Sequence, residues 1–252
     1  MTNIYNLFKF LEEKEGKPIP FKIKLIYAPE TIRPEDLNVR GNLWLDGTPI
    51  TSLPAGLNVR GDLNLEGTKI TTLPAGLRVG RHLSLYKTEI AFLPADLKVD
   101  GNLYLGHTKI TSLPASFKVG SSLDLEGTKI TTLPTGLEVG RNLDLTDTRI
   151  TSLPAGLKVG GHLYLDNTLI TSLPADLEVG GHLNLRNTRI TSLPADLKVG
   201  GYLNLFNTLI TSLPADLKVG GDLYLKRTPL SKKYTAAQIQ KMVPGVEGGI
   251  IL

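Results

Sequence analysis

The sequence predicts a mainly β, right-handed solenoid of about ten 20-residue coils, with short helical caps at both ends. Two observations carry this. The chain repeats every 20 residues in register with its own numbering: Leu43 to Leu223, Leu45 to Leu225, Thr48 to Thr228 and Val39 to Val219 are four unbroken columns of ten. Within each unit, apolar and polar residues alternate with period two. A fixed period of this length marks a stack of coils, each contacting only its neighbours. The alternation marks extended segments with one face buried.

The first 30 residues form an N-terminal cap of helix plus strand. Ile4, Leu7, Phe8 and Leu11 recur at helical spacing, with Thr2 or Asn3 as N-cap and Gly16 as stop. Phe21 to Tyr27 alternates like a strand. Residues 31–230 are the solenoid, and Thr31 to Leu37 is a degenerate first unit.

One unit, Leu157 to Pro174, shows the rest. Leu157 and Val159, then Leu163 and Leu165, then Ile170 and Leu173 define three extended segments with inward aliphatics. Gly160-Gly161 and Asp166-Asn167 break them, and Pro174-Ala175 closes the coil. Glycine supplies the backbone freedom of a tight corner, and proline belongs at a strand end because it cannot donate to a ladder. Each Thr of the 48-to-228 column is read as an inward hydroxyl that bonds a backbone group of the adjacent coil. An outward threonine array for ice binding does not fit. The residues two positions on are core isoleucines such as Ile50, and the outward neighbours are charged, as at Lys69, Glu89 and Arg149.

Residues 231–252 form a C-terminal cap of helix plus strand. Thr235 and Gln238 make a T-x-x-Q capping box that opens a helix through Ile239, Met242 and Val243, ended by Pro244. Gly249 to Leu252 adds a last strand. Caps are needed because stacked coils leave sticky edges.

The unit L-x-L-x-x-T-x-I-T-S-L-P resembles the leucine-rich repeat core L-x-L-x-x-N-x-L, over roughly Thr31 to Leu230. It is most similar to the short, LP-containing repeats of bacterial and phage proteins. Threonine stands where that family has its ladder asparagine. Gly160, Gly180, Gly200 and Gly220 stand where it has the first leucine of its strand. These departures leave room for a three-sided parallel β-helix as an alternative. The resemblance implies an interaction scaffold and carries over no catalytic residue. Relatives that act as ubiquitin ligases need an added domain with a catalytic cysteine, and this chain has no cysteine.

The absence of cysteine also excludes disulfides and thiolate chemistry, and fits a cytoplasmic setting in a bacterium, a phage-infected cell or a host to which the protein is delivered. The N-terminus lacks the basic start and apolar run of a signal peptide, and no apolar stretch is long enough for a membrane span. A net charge of +4 over 252 residues does not argue for nucleic acid.

Function, on this reading, sits in the outward columns 42, 44 and 46, repeated every 20 residues. Seven of the nine aromatics between Gly41 and Leu230 fall there: Trp44, Tyr86, Tyr104, Tyr164, Tyr202, Phe206 and Tyr224. Strand propensity alone enriches aromatics in strands, but rings displayed on a rigid sheet are also the material of binding faces. Those columns hold eight acidic residues, among them Asp124, Asp144 and Asp166, against Arg186 and Lys226, for a net of −6. Such a face repels phosphates and suits a protein partner with a basic or mixed surface. His162 and His182, stacked on adjacent coils, join the candidate partner-binding residues. Parallel sheet columns do not converge on a metal, so no metal or cofactor is assigned. Asp124, Glu126 and Asp144 could instead mark a polysaccharide-binding or polysaccharide-degrading β-helix. A serine repeated in column, as at Ser152 and Ser172, argues against catalysis, which needs one residue once. The leading expectation is therefore a non-enzymatic interaction module. The polysaccharide protein and a structural, self-associating solenoid are the alternatives.

Overall fold

The computed structural model describes residues 2–252, and the side chains of residues 4–252. Each coil contributes two short strands. Leu43–Trp44 and its nine repeats, through Leu223–Tyr224, pair in parallel and in register, Leu over Leu, and Ile250–Ile251 adds an eleventh strand. Asn38–Val39 and its repeats form the second side. The structure is thus a parallel β-solenoid with nine 20-residue steps between its ten Leu-x-Leu strands.

The six aliphatics of each coil pile into one continuous core. In the coil of residues 157 to 173, Leu163, Leu165 and Ile170 are fully buried and Leu157, Val159 and Leu173 nearly so. The third predicted segment, Ile170 to Leu173, is inward-facing but forms no ladder among the described residues. It makes scattered bonds, such as Leu169 N–H to the Ile150 carbonyl at 3.1 Å and Leu209 N–H to Ile190 at 3.1 Å. Two sides of the coil are sheet and the third is stacked aliphatics.

The second side is interrupted once. Strands from Asn38–Val39 to Lys98–Val99 form one sheet, and those from Lys118–Val119 to Lys218–Val219 form another. At the break, Gly120 N–H reaches the Val99 carbonyl only at 3.5 Å. There Asp100 stands in the column that is glycine from Gly120 onward, and Phe117 stands in the leucine column.

The glycines of that column do not serve a bent backbone. Gly160, Gly180, Gly200 and Gly220 lie outside the left-handed region, and what they provide is closeness: a β-carbon on any of them would collide with the carbonyl oxygen of the coil before. A left-handed position recurs at residue 47 and its repeats. Gly47, Lys87, His107, Asp147, Asn167, Asn187, Asn207 and Arg227 there all have φ near +60°, which accounts for the Gly, Asn and Asp found at most of these turns.

The threonine column also differs from expectation. Each hydroxyl is inward, but it closes its own coil. Thr148 Oγ1 donates to the Leu145 carbonyl at 2.6 Å, beside Thr148 N–H to the same oxygen at 3.2 Å, and the pattern recurs from Thr48 to Thr228. In this parallel sheet the Leu145 carbonyl turns into the corner, so its lone pairs are met locally and not by the adjacent coil.

At the N-terminus the helix Thr2–Glu15 forms, but its apolar residues are poorly covered: Ile4, Leu7 and Phe10 are exposed. The N-cap assigned to Thr2 or Asn3 rests on side chains outside the described residues. Phe21–Tyr27 is an α-helix and not a strand. Pro20 is compatible with a helix start, and Leu25 is buried in the core while Lys24 pairs with Asp36 at 3.0 Å. Its period-two pattern over seven residues did not separate a short packed helix from a strand. Two 3-10 turns, Pro29–Thr31 and Pro34–Leu37, replace the degenerate first unit.

Thr235 and Gln238 form the reciprocal capping box of the helix Ala236–Met242, and the last strand closes the sheet edge. A short helix, Pro229–Lys233, precedes it, capped by Thr228 and Ser231. Among the described residues, no helix is long and apolar enough to cross a membrane.

Candidate functional site

Columns 42, 44 and 46 lie on the outward face of the Leu-x-Leu sheet. Successive coils place Tyr104, Asp124, Asp144, Tyr164 and Asn184 in direct register. Trp44, at the first strand, is exposed; Tyr86, Tyr104, Asp124, Asp144, His162, Tyr164, His182, Tyr202, Phe206 and Tyr224 are half-buried among their neighbours.

The rings fall into two groups. In the first half, Tyr86 meets His107 edge-on at 5.4 Å and Tyr104 meets His82 at 6.5 Å. In the second, His162 stacks on His182 at 4.2 Å with planes 3° apart, and His182 stacks on Tyr202 at 3.8 Å. Tyr202 then meets Tyr224 edge-on at 5.8 Å, and Tyr164 meets His162 at 6.0 Å. The guanidinium groups of Arg186 and Arg227 lie over the Phe206 ring, at 5.7 and 5.3 Å from its centre. The second half is therefore one connected aromatic surface, and the acidic residues separate it from the first.

The histidines have a structural task that reading the columns for exposure overlooks. The side chain at position 42 and its repeats accepts the backbone N–H of the equivalent residue one coil on. Asn42 Oδ1 takes Asp62 N–H at 2.9 Å, Asn142 Oδ1 takes His162 N–H at 2.9 Å, His162 Nδ1 takes His182 N–H at 2.9 Å, and His182 Nδ1 takes Tyr202 N–H at 3.0 Å. Nδ1 and Oδ1 are the same number of bonds from the β-carbon, so imidazole replaces carboxamide without moving the backbone. The signal was in the composition. From Asn42 to His182 the column holds only Asn, Asp, Ser and His, all side chains with an acceptor at short reach.

A second ladder was also overlooked. Asn167, Asn187 and Asn207 each donate Nδ2–H to the Oδ1 one coil back, at 2.7 to 2.9 Å, the first of them to Asp147.

Two of the acidic residues, Asp124 and Asp144, are turned onto their own backbone. Asp124 Oδ1 accepts Glu126 N–H at 2.9 Å, and Asp144 Oδ1 accepts Thr146 N–H at 2.8 Å. Burial pushes the Asp124 carboxyl above the usual carboxylate range, and the charges of Asp144 and Glu126 add to this. Burial does the same at Asp166, helped by Asp144 and Asp147. Burial, with Tyr202, Asp144 and Asp166 beside it, raises the Tyr164 phenol. Among the described residues, no three His, Asp or Glu side chains converge to hold a metal ion. The basic side column is partly neutralised within itself, with Lys118 paired to Glu138 at 2.8 Å and Lys158 to Glu178 at 3.4 Å.

No family model and no curated protein matches the chain. Among solved structures, it is similar to a leucine-rich repeat protein of Leptospira interrogans at 20% identity, covering 82% of this chain and 83% of that one, with a TM-score of 0.30.

Proposed function

We propose that the solenoid is a non-enzymatic protein-interaction module whose partner lies on the aromatic, acidic strand face. The observation that supports it is the connected ring surface from His162 to Tyr224, with Phe206 alongside, on a sheet built from in-register strands. Aromatic side chains bury large area and dominate interface energetics, and a preformed surface loses little ordering entropy on binding. The net charge of −6 on these columns directs the reading toward a partner with a basic or mixed surface, held by occlusion or scaffolding. The lack of cysteine supports a cytoplasmic setting. The polysaccharide reading is weakened by the engagement of Asp124 and Asp144 with their own turns.

The test is affinity capture with the native protein and with the triple variant Tyr104→Ala, Tyr164→Ala, Phe206→Ala. A specific protein recovered by the first and lost from the second supports this face. Equal recovery from a folded triple variant overturns it.

A further inference from the structure

The histidines of the 42 column hold the coils together through an atom that acid removes from service. His82 Nδ1 accepts Asn102 N–H at 2.9 Å, and His162 and His182 do the same for the amides of His182 and Tyr202. To accept, Nδ1 must carry no proton, so each ring is held in the tautomer protonated at Nε2. A doubly protonated imidazole has two donors and no acceptor. Protonation therefore sets N–H against N–H and leaves a half-buried backbone amide without its partner. Glycine lets each ring lie against the coil above: a β-carbon at Gly101, Gly181 or Gly201 would strike the ring one coil below.

The pair His162 and His182 adds a second effect. Their planes are parallel at 4.2 Å, so two protonated rings would be like charges in van der Waals contact. The charged groups around them are Asp144, Asp166 and Arg186 on the strand, Arg141 in the flanking column and Asp222 two coils on. Among the described residues, neither ring is ion-paired with a carboxylate. His82 differs: its own amide donates to Asp62, which also faces Arg81 at 3.8 Å.

We propose that His162 and His182 make the aromatic half of the strand face proton-sensitive: the surface keeps its shape at neutral pH and loosens in mild acid, as the coil-to-coil bonds beneath Tyr164 and Tyr202 are lost. The inference deepens the binding-face reading by naming what regulates that surface. It concerns the ladder alone, so it can be tested with no partner present. Burial, then the neighbouring His162, holds the His182 imidazole below its ordinary value, as a folded state that needs the neutral ring requires.

The column itself supplies the control. Asn42, Asn102 and Asn142 do the same work with a group that does not titrate in this range. The experiment is amide hydrogen exchange, corrected for intrinsic rates, at about pH 7.5 and about pH 5.5, windows on either side of the imidazole transition. It compares the native protein with the double variant His162→Asn, His182→Asn. In the native protein, protection of the residue 182 and Tyr202 amides is expected to fall by about tenfold or more relative to the Asp62 and residue 162 amides, which asparagines hold. In the double variant it is expected to hold at both pH values. Retained protection in the native protein at the lower pH, or an equal fall in both proteins, overturns the proposal. The binding-face reading stands or falls separately, on capture at neutral pH.

Discussion

The carbonyl oxygen of Gly200 faces the α-carbon of Gly220, where a β-carbon would approach it to 2.5 Å while Gly220 N–H holds the Val199 carbonyl at 2.9 Å. The coils are in contact at this corner, backbone against backbone. Gly220→Ala is therefore expected to destabilise by about 1–3 kcal/mol, the usual cost of overpacking. Gly41→Ala, where nothing lies within 4 Å and φ is not positive, is expected to be close to neutral. Urea unfolding of the two variants compares them directly. Equal losses would remove the close-approach account.

Thr148→Val separates the two accounts of the threonine column. The Thr148 hydroxyl donates only to Leu145 of its own coil, and that carbonyl keeps the Thr148 N–H when the hydroxyl goes. The loss is expected to be about 0.5–1.5 kcal/mol, that of one neutral hydrogen bond. Exchange protection in the coil after it should be unchanged. Loss of protection spreading into that coil would restore the inter-coil ladder.

Leu145→Ala tests the one-dimensional character of the stack. Leu145 is fully buried at mid-solenoid, so truncation should cost about 2–5 kcal/mol. Because each coil touches only its neighbours, the damage should be local. Exchange protection is expected to fall in the coils around Leu125 and Leu165 and to persist around Leu65 and Leu225. Uniform loss along the chain would show a single cooperative unit.

Stability should respond to acid in two opposite senses. The neutral His182 ring is favoured by the fold, so its contribution is complete above about pH 6.5 and is lost as pH falls below it. Asp124 and Asp166 have raised carboxyls, so their contribution is present below about pH 3.8 and is lost as pH rises through their folded values. Asp144→Asn removes a like charge from both and is expected to raise the midpoint of thermal unfolding at pH 7, with little change near pH 3.5. An unchanged midpoint at pH 7 would mean that Asp144 does not burden its neighbours.

The repeat itself was legible because burial writes a period into sequence. Leu163, Leu165 and Ile170 could be placed inside the spine from alternation alone, and the Thr235-Gln238 box and final strand from local chemistry. The location of the aromatic columns was legible for the same reason, since position within the coil decides which face a residue takes. Local pattern did not determine Phe21–Tyr27, where seven residues carry too few turns to separate helix from strand, and packing of Leu25 against the first coil decided the matter.

Hydrogen-bond partners lay beyond the sequence, because a partner one coil away is 20 residues distant and several acceptors compete for each donor. Tertiary structure alone turned Thr148 onto its own coil, turned Asp124 onto its own turn, and set His162 Nδ1 against the amide of His182. Periodicity determines which side of the sheet a side chain occupies. The distance between stacked backbones decides what it can reach there.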